Sequence, residues 1–325
     1  MSFPLFRRPG SVVFLDDDPD YLDMLAMVMP KRWHIRLHMR PSHCIHSLHR
    51  EPPLWEIDAW NQQQMVDQWR QGAPLIPQIL GYWARSQARY ALTRVVVVDF
   101  SMPEMDGLQV LGELTEWQGS RVMLTGQADE QVAVKAFNRG LIEQFVPKQL
   151  PDMGKRLISA LETLLAQPHA RHSQTWRATL KPEQHALLRA PAVQEALSDF
   201  AATRWVEHVT LGDPFGILGM DEEGNVSWLQ LEMRDGLAAL AEVAEIAGVP
   251  EEGLAEIRNG RKLVSMELRQ ALGLDGPSDL IPAFSPGGDP ALLAAVFQIP
   301  AAQLPAPITG YREWLSRQEA RKVED

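Results

Sequence analysis

Apolar residues in the first half of this chain come in short unbroken runs instead of alternating with polar ones. The runs are SVVFL at 11–15, VVVV at 95–98, RVMLT at 121–125 and QFVPK at 144–148. Brief β-branched runs of this kind predict strands buried on both faces, the pattern of a parallel sheet covered by helices. Between and after them the period lengthens to that of helices, most clearly in MGKRLISALETLLAQ at 153–167.

The second half is patterned differently. KPEQHALLRAPAVQEALSDFAATRWVEHV, 181–209, predicts a helix pair broken at Pro191. PFGILGM and NVSWLQLE flank DEEG as a hairpin, so Asp221, Glu222 and Glu223 read as turn residues rather than cation ligands. Three short helical stretches follow, then a second strand pair around SPGGDP, which reads as a turn and not as a phosphate loop. PHARHSQTW, at 168–176, is polar. The expected organisation is a first domain over 1–167, a linker over 168–180 and an α+β domain over 181–325.

Length agrees, because 325 residues suit about two domains. Charge separates the halves. Residues 1–175 hold 18 Lys+Arg and 19 Asp+Glu, whereas residues 176–325 hold 13 and 23. A second half at net −10 repels a phosphate backbone, so nucleic acid is an unexpected partner. No apolar run is long enough for a membrane span, no signal-peptide core precedes the first acids, and Cys44 is the only cysteine. The expectation is a cytoplasmic protein.

The candidate chemistry sits where the strands end. SVVFL runs into Asp16, Asp17 and Asp18, VVVV into Asp99, RVMLT ends on Thr125, and QFVP is followed by Lys148. Open α/β sheets carry their sites at the carboxyl ends of the strands, so one rim would hold an acid cluster, a single Asp, a hydroxyl and an ammonium. Clustered carboxylates repel unless a cation joins them, and a hard oxygen-rich site suits Mg²⁺. Mg²⁺ and an ammonium neutralise phosphoryl oxygens, a hydroxyl donates to another, and a carboxylate can be the nucleophile. Singly, each residue has an ordinary structural reading; the ordered set describes a phosphoryl site.

In FLDDDPD, VVVVDFSMPEMDG, VMLTGQAD and FVPK, residues 11–166 resemble the receiver domain of two-component response regulators. The resemblance implies a doubly wound five-stranded parallel sheet. It implies that Asp99 accepts a phosphoryl group from the phosphohistidine of a histidine kinase or phosphotransfer protein. Asp17, Asp99 and the backbone carbonyl of Ser101 would bind Mg²⁺, with Asp16 acting largely through water. Thr125 and Lys148 would move toward the phosphoryl oxygens, Gly126 leaving room, and Phe145 would be the aromatic switch residue. Such a protein is not an enzyme beyond its own phosphotransfer.

The sequence departs from that family in three places. Gln149 follows Lys148 and Pro147 precedes it, so the usual cis peptide after the lysine is not expected. Asp17 and Asp99 are 82 positions apart, well beyond the customary gap, which places an insertion of two helices within 50–92. Its Trp55, Trp60, Trp69 and Trp83 either pack those helices onto the receiver or form a face for a dimer or a kinase. His34, His38, His43, His46 and His49 cluster with Cys44, as a solvated or packed stripe or as a transition-metal site.

The C-terminal half faintly resembles PAS sensory domains over 214–300, which would imply a small ligand or a second copy of the chain. The alternative is a helix-turn-helix near 237–262 and a role in transcription, against which Glu251 and Glu252 open the would-be recognition helix. No GGDEF-like, HD-type or Gly-x-Ser-x-Gly arrangement points to an enzymatic output.

Overall fold

The computed structural model describes residues 3–126, 130–167, 170–319, 321 and 323–324. The chain begins with β1 (Phe6–Arg7), β2 (Ser11–Leu15), α1 (Pro19–Val28), β3 (Ile35–His38), α2 (Pro41–His49), α3 (Pro52–Arg70) and α4 (Leu75–Arg85). It continues through β4 (Thr93–Asp99), α5 (Gly107–Glu113), β5 (Ser120–Thr125), α6 (Glu130–Asn138), β6 (Gln144–Pro147) and α7 (Met153–Ala166). Next come α8 (Ala170–Arg177), α9 (Pro182–Leu188), α10 (Pro191–Arg204), β7 (Glu207–Gly212), β8 (Phe215–Met220) and β9 (Val226–Met233). Last are α11 (Leu237–Ile246), α12 (Glu251–Arg258), β10 (Lys262–Val264), α13 (Met266–Leu272), β11 (Leu280–Pro282), β12 (Leu292–Ile299), α14 (Tyr311–Ser316) and β13 (Val323–Glu324).

These elements make two compact units that interleave along the chain. One consists of Pro9–Trp60, Ala88–Gln167 and Trp314–Asp325; the other of Met1–Arg8, Asn61–Gln87 and Pro168–Glu313. The first is built on a parallel sheet of order β13-β3-β2-β4-β5-β6. Its core explains the unbroken valine runs. Val12, Phe14, Val95 and Val97 face Leu22, Leu25, Leu157 and Leu161, whereas Val13, Leu15, Val96 and Val98 face Cys44, Leu48, Val110 and Leu111. Successive residues of a strand point to opposite faces, and here helices cover both, so no position can be polar. Each fully buried valine contributes roughly 1.5 kcal/mol or more to stability.

The other unit carries an antiparallel sheet of order β1-β7-β8-β9-β12. The predicted hairpin is β8–β9, closed by Asp221, whose Oδ1 accepts from the N–H groups of Glu223 and Asn225. Glu222 and Glu223 pair with Arg312 and not with a cation site. The predicted helix pair is α9 and α10, with Pro191 opening α10 at the first helical position, where its missing N–H costs nothing. Ile217, Leu229, Leu231 and Ala294 pack with Val193, Leu197 and Ala201.

The architecture differs from the sequence expectation in several places. The strands around SPGGDP do not form a pair: β11 joins β10, β12 joins β9, and a single bridge links Phe284 to Ala294. The expected linker over 168–180 contains α8, which contributes buried Trp176 to the antiparallel unit. Residues 50–92 do contain two helices, but they are shared between units. Trp55 is buried in the parallel unit, whereas Trp83 is buried and Trp69 half-buried in the antiparallel one, because the apolar residues Leu75, Ile76, Ile79 and Leu80 of α4 belong to its core. Trp60 is 61% exposed. The histidines do not converge: His43, His46 and His49 are exposed, His38 is buried on β3, and His34 hydrogen-bonds through Nδ1 to Ser11 Oγ at 2.6 Å. Among the described residues no helix is long and apolar enough to cross a membrane.

Candidate functional site

Four strand ends of the parallel unit build the site. Because β2, β4, β5 and β6 are parallel and adjacent, the residues closing them share one rim. Asp16 and Asp99 are buried, at 1% and 4% exposure, and Asp17 is exposed. Ligand oxygens of these three carboxylates lie within 4.8 Å of one another, and among the described residues they are the only such group of three metal-ligating side chains.

Lys148 Nζ lies between the two buried acids, 2.7 Å from Asp16 Oδ2 and 2.8 Å from Asp99 Oδ1. It also stands 4.5 Å from the centroid of the Tyr21 ring. The strand itself brings it there. Pro147 pairs with Thr125 in register, and the Lys148 N–H donates to the Thr125 carbonyl at 2.9 Å. Among the described residues the only cis peptide is Asp213–Pro214, so the bond after Lys148 is trans, as Gln149 led one to expect, and the ammonium still reaches both carboxylates.

The surrounding loops are fixed by capping. Asp18 accepts from the N–H groups of Asp20 and Tyr21 and starts α1, and the Asp18 N–H donates to Asp16 Oδ1 at 3.1 Å. Both oxygens of Asp16 and Oδ1 of Asp99 therefore already accept from groups of the protein. Beyond Asp99, a capping box between Asp106 and Gln109 starts α5. Gly107 makes that turn possible, since a Cβ there would lie 2.5 Å from the Asp99 carbonyl oxygen. Ser101 is exposed on the loop after β4. Phe145 is half-buried on β6, beside the core that contains Met123 and Ile142.

The electrostatics follow from burial. Burial raises the pKa of Asp16, and its contacts with Lys148 only partly offset this. Burial works against the Lys148 ammonium, yet hydrogen bonds to Asp16 and Asp99 hold its pKa above the usual lysine value. Tyr21 is pushed upward by burial and then by the charges of Asp16 and Asp99. Thr125 is fully buried and its Oγ1 has no hydrogen-bond partner among the described residues. An unmet buried hydroxyl costs roughly 1–3 kcal/mol. The three acids, with ligand oxygens within 4.8 Å of one another, fit a divalent cation.

Of the residues the sequence singled out, the structure brings Asp16, Asp17, Asp99 and Lys148 into contact range, and Thr125 ends β5, the strand between those of Asp99 and Lys148. Sequence reasoning missed Tyr21, whose signal was its place in the helical turn that the acid cluster itself caps.

Residues 77–162 match the response regulator receiver domain family. That span includes Asp99, Thr125 and Lys148, and β2 with its acids lies before it. None of the curated proteins matches the chain. In fold, the chain is similar to the Legionella pneumophila response regulator LqsR, with 20% identity over 98% of each chain and a TM-score of 0.73. Two isolated receivers align over about half of it. They are a response regulator receiver domain protein from Clostridium thermocellum (13% identity, 48% of this chain, 94% of that one, TM-score 0.31) and the signal receiver domain of a putative Luxo repressor from Vibrio parahaemolyticus (16%, 49%, 90%, 0.33). The PAS-like reading of the C-terminal half is not confirmed by these likenesses.

Proposed function

We propose that this chain, whose parallel-sheet unit is a response regulator receiver domain, takes a phosphoryl group on Asp99 from the phosphohistidine of a histidine kinase or phosphotransfer protein in the cytoplasm. The observation that carries the reading is the meeting of Asp16, Asp17, Asp99 and Lys148 on one rim beside the unpartnered Thr125 hydroxyl. An Asp99 carboxylate oxygen attacks phosphorus, the P–N bond breaks, and the donor imidazole leaves with the bonding pair and takes up a proton. Mg²⁺, held by Asp17, Asp99 and the Ser101 carbonyl with Asp16 acting through water, would supply positive charge to the phosphoryl oxygens.

This chain's own groups do the rest. Once Asp99 is converted to the acyl phosphate its carboxylate charge is gone, so Lys148 turns from it to a phosphoryl oxygen. The Thr125 hydroxyl donates to another and so gains the partner it lacks. Phe145 moves inward as Thr125 moves, and the new arrangement changes how copies of the chain associate and what its second unit presents. Transcriptional control through α11 and α12 has less support. Arg258 pairs with Glu251 and Glu245, and Arg261 with Glu256, so acids occupy the cations that a DNA-reading helix would present.

The test is to incubate wild type and Asp99→Asn with Mg²⁺ and acetyl phosphate, following phosphoprotein by gel shift and molar mass by light scattering. Wild type alone becomes modified, and its mass changes. Modification of Asp99→Asn to the same extent would sink the assignment.

A further inference from the structure

The antiparallel unit contains a cavity of about 280 Å³ beneath α13, walled by β11 and β12. That volume is near the lower end of the range for small-molecule sites, roughly 300–1,000 Å³. Leu268, Leu272, Ile281 and Phe297 supply an apolar lining, and two groups of opposite charge, Arg269 and Asp279, share the same wall space.

Among the described residues neither of those charges is paired with an opposite one. Arg269 donates from one terminal nitrogen to the carbonyl of Asp275, across the turn where Gly273 ends α13 in the left-handed region. Its Nε is buried without an acceptor, and among the described residues no carboxylate pairs with it. Asp279 is held by its backbone, its N–H donating to Ser265 Oγ at 2.9 Å and its carbonyl accepting from the Ser265 N–H at 3.0 Å. Its carboxylate has no partner among the described residues. A cation and an anion that line one cavity without meeting leave two complementary positions open to a guest. The buried Nε–H is a donor whose lack of an acceptor costs stability until something supplies one.

We propose that this cavity binds a small zwitterion of the α-amino-acid type with an apolar side chain. Its carboxylate would pair with the Arg269 guanidinium, its ammonium with Asp279, and its side chain would lie among Leu268, Leu272, Ile281 and Phe297. Guanidinium–carboxylate pairing gives orientation as well as energy, and the apolar lining selects against polar amino acids. The inference stands on the antiparallel unit and does not depend on phosphorylation of Asp99.

The full-length protein is titrated calorimetrically with L-leucine, with isocaproate, which lacks the ammonium, and with isoamylamine, which lacks the carboxylate. Leucine binds saturably, and each analogue binds at least about tenfold more weakly, the loss of one charged contact. Arg269→Met and Asp279→Asn each weaken leucine by a similar factor while retaining the wild-type thermal midpoint without ligand. Should one variant fail to fold, the other, with Arg269→Lys, which keeps charge but not the planar fork, gives the same reading. Absence of binding by leucine, methionine and phenylalanine alike, or leucine binding that both variants leave unchanged, overturns the proposal.

Discussion

The backbone N–H of Lys148 donates to the carbonyl of Thr125 at 2.9 Å, so the residue that carries the ammonium is tied to the residue that carries the hydroxyl. The tie is made by main chain alone. The Thr125 side chain can therefore be changed without releasing Lys148.

That separation makes Thr125→Val informative. Valine has nearly the same shape, and it removes a buried hydroxyl that has no partner among the described residues. Chemical denaturation will find the variant as stable as wild type or more stable, by about 1 kcal/mol. Acetyl phosphate will still modify Asp99, but the accompanying change in molar mass will be lost. A variant that destabilises the protein and still switches would show the hydroxyl to be structural.

Glu51 is a second test of the fold, at the start of the inserted helices. Its buried carboxylate accepts from Arg36 at 2.7 Å, from Thr93 Oγ1 at 2.6 Å and from the Trp117 indole at 3.2 Å, joining β3, β4 and the segment before β5. Removing one partner of a buried ion pair strands the other, so Glu51→Gln will cost about 3 kcal/mol in urea unfolding. A loss below about 1 kcal/mol, the value of an exposed pair, would mean that the cluster is solvated.

Stability will fall in acid because of buried histidines. Burial first, and then Arg36 with either Arg321 or His43, lowers His34 and His38 to about 4. A depressed folded-state pKa gives stability that is present above the unfolded value of 6.5 and lost as pH falls toward 4. Glu232 runs the other way, since burial raises it to about 7 and its contribution fades as pH rises through that value. The histidine contribution is thus read as a difference: between pH 6.5 and 4 the thermal midpoint of His38→Gln will drop less than that of wild type. Parallel curves would refute the assignment to His38.

Much of the parallel unit was legible because its signals are local. Val95 to Val98 are apolar because both faces of β4 are covered, and Asp99, Thr125 and Lys148 sit where those runs stop. What the sequence hid is long-range. Phe6 and Arg7 form a two-residue strand whose partners are Val209 and His208, and Val323 pairs with Leu37, pairings too short to leave a periodicity. Trp83 looked like part of an insertion into the receiver because it lies between Asp17 and Asp99; its helix is apolar for the sake of a core assembled mainly from residues after 168. The strands around SPGGDP each have a strong partner elsewhere, and a turn sequence between two strands does not say that they pair with each other.

The interleaving of the two units bears on how such a protein can be rebuilt. Where a single tether joins two modules, one recombination event in the gene exchanges one of them. Here the chain passes from one unit to the other at 8/9, 60/61, 87/88, 167/168 and 313/314. A transplant of the antiparallel unit must carry three separate stretches of coding sequence, and the cut within α3 would fall inside a helix. Exchange of either unit as a cassette therefore needs several matched junctions where a tethered module needs one.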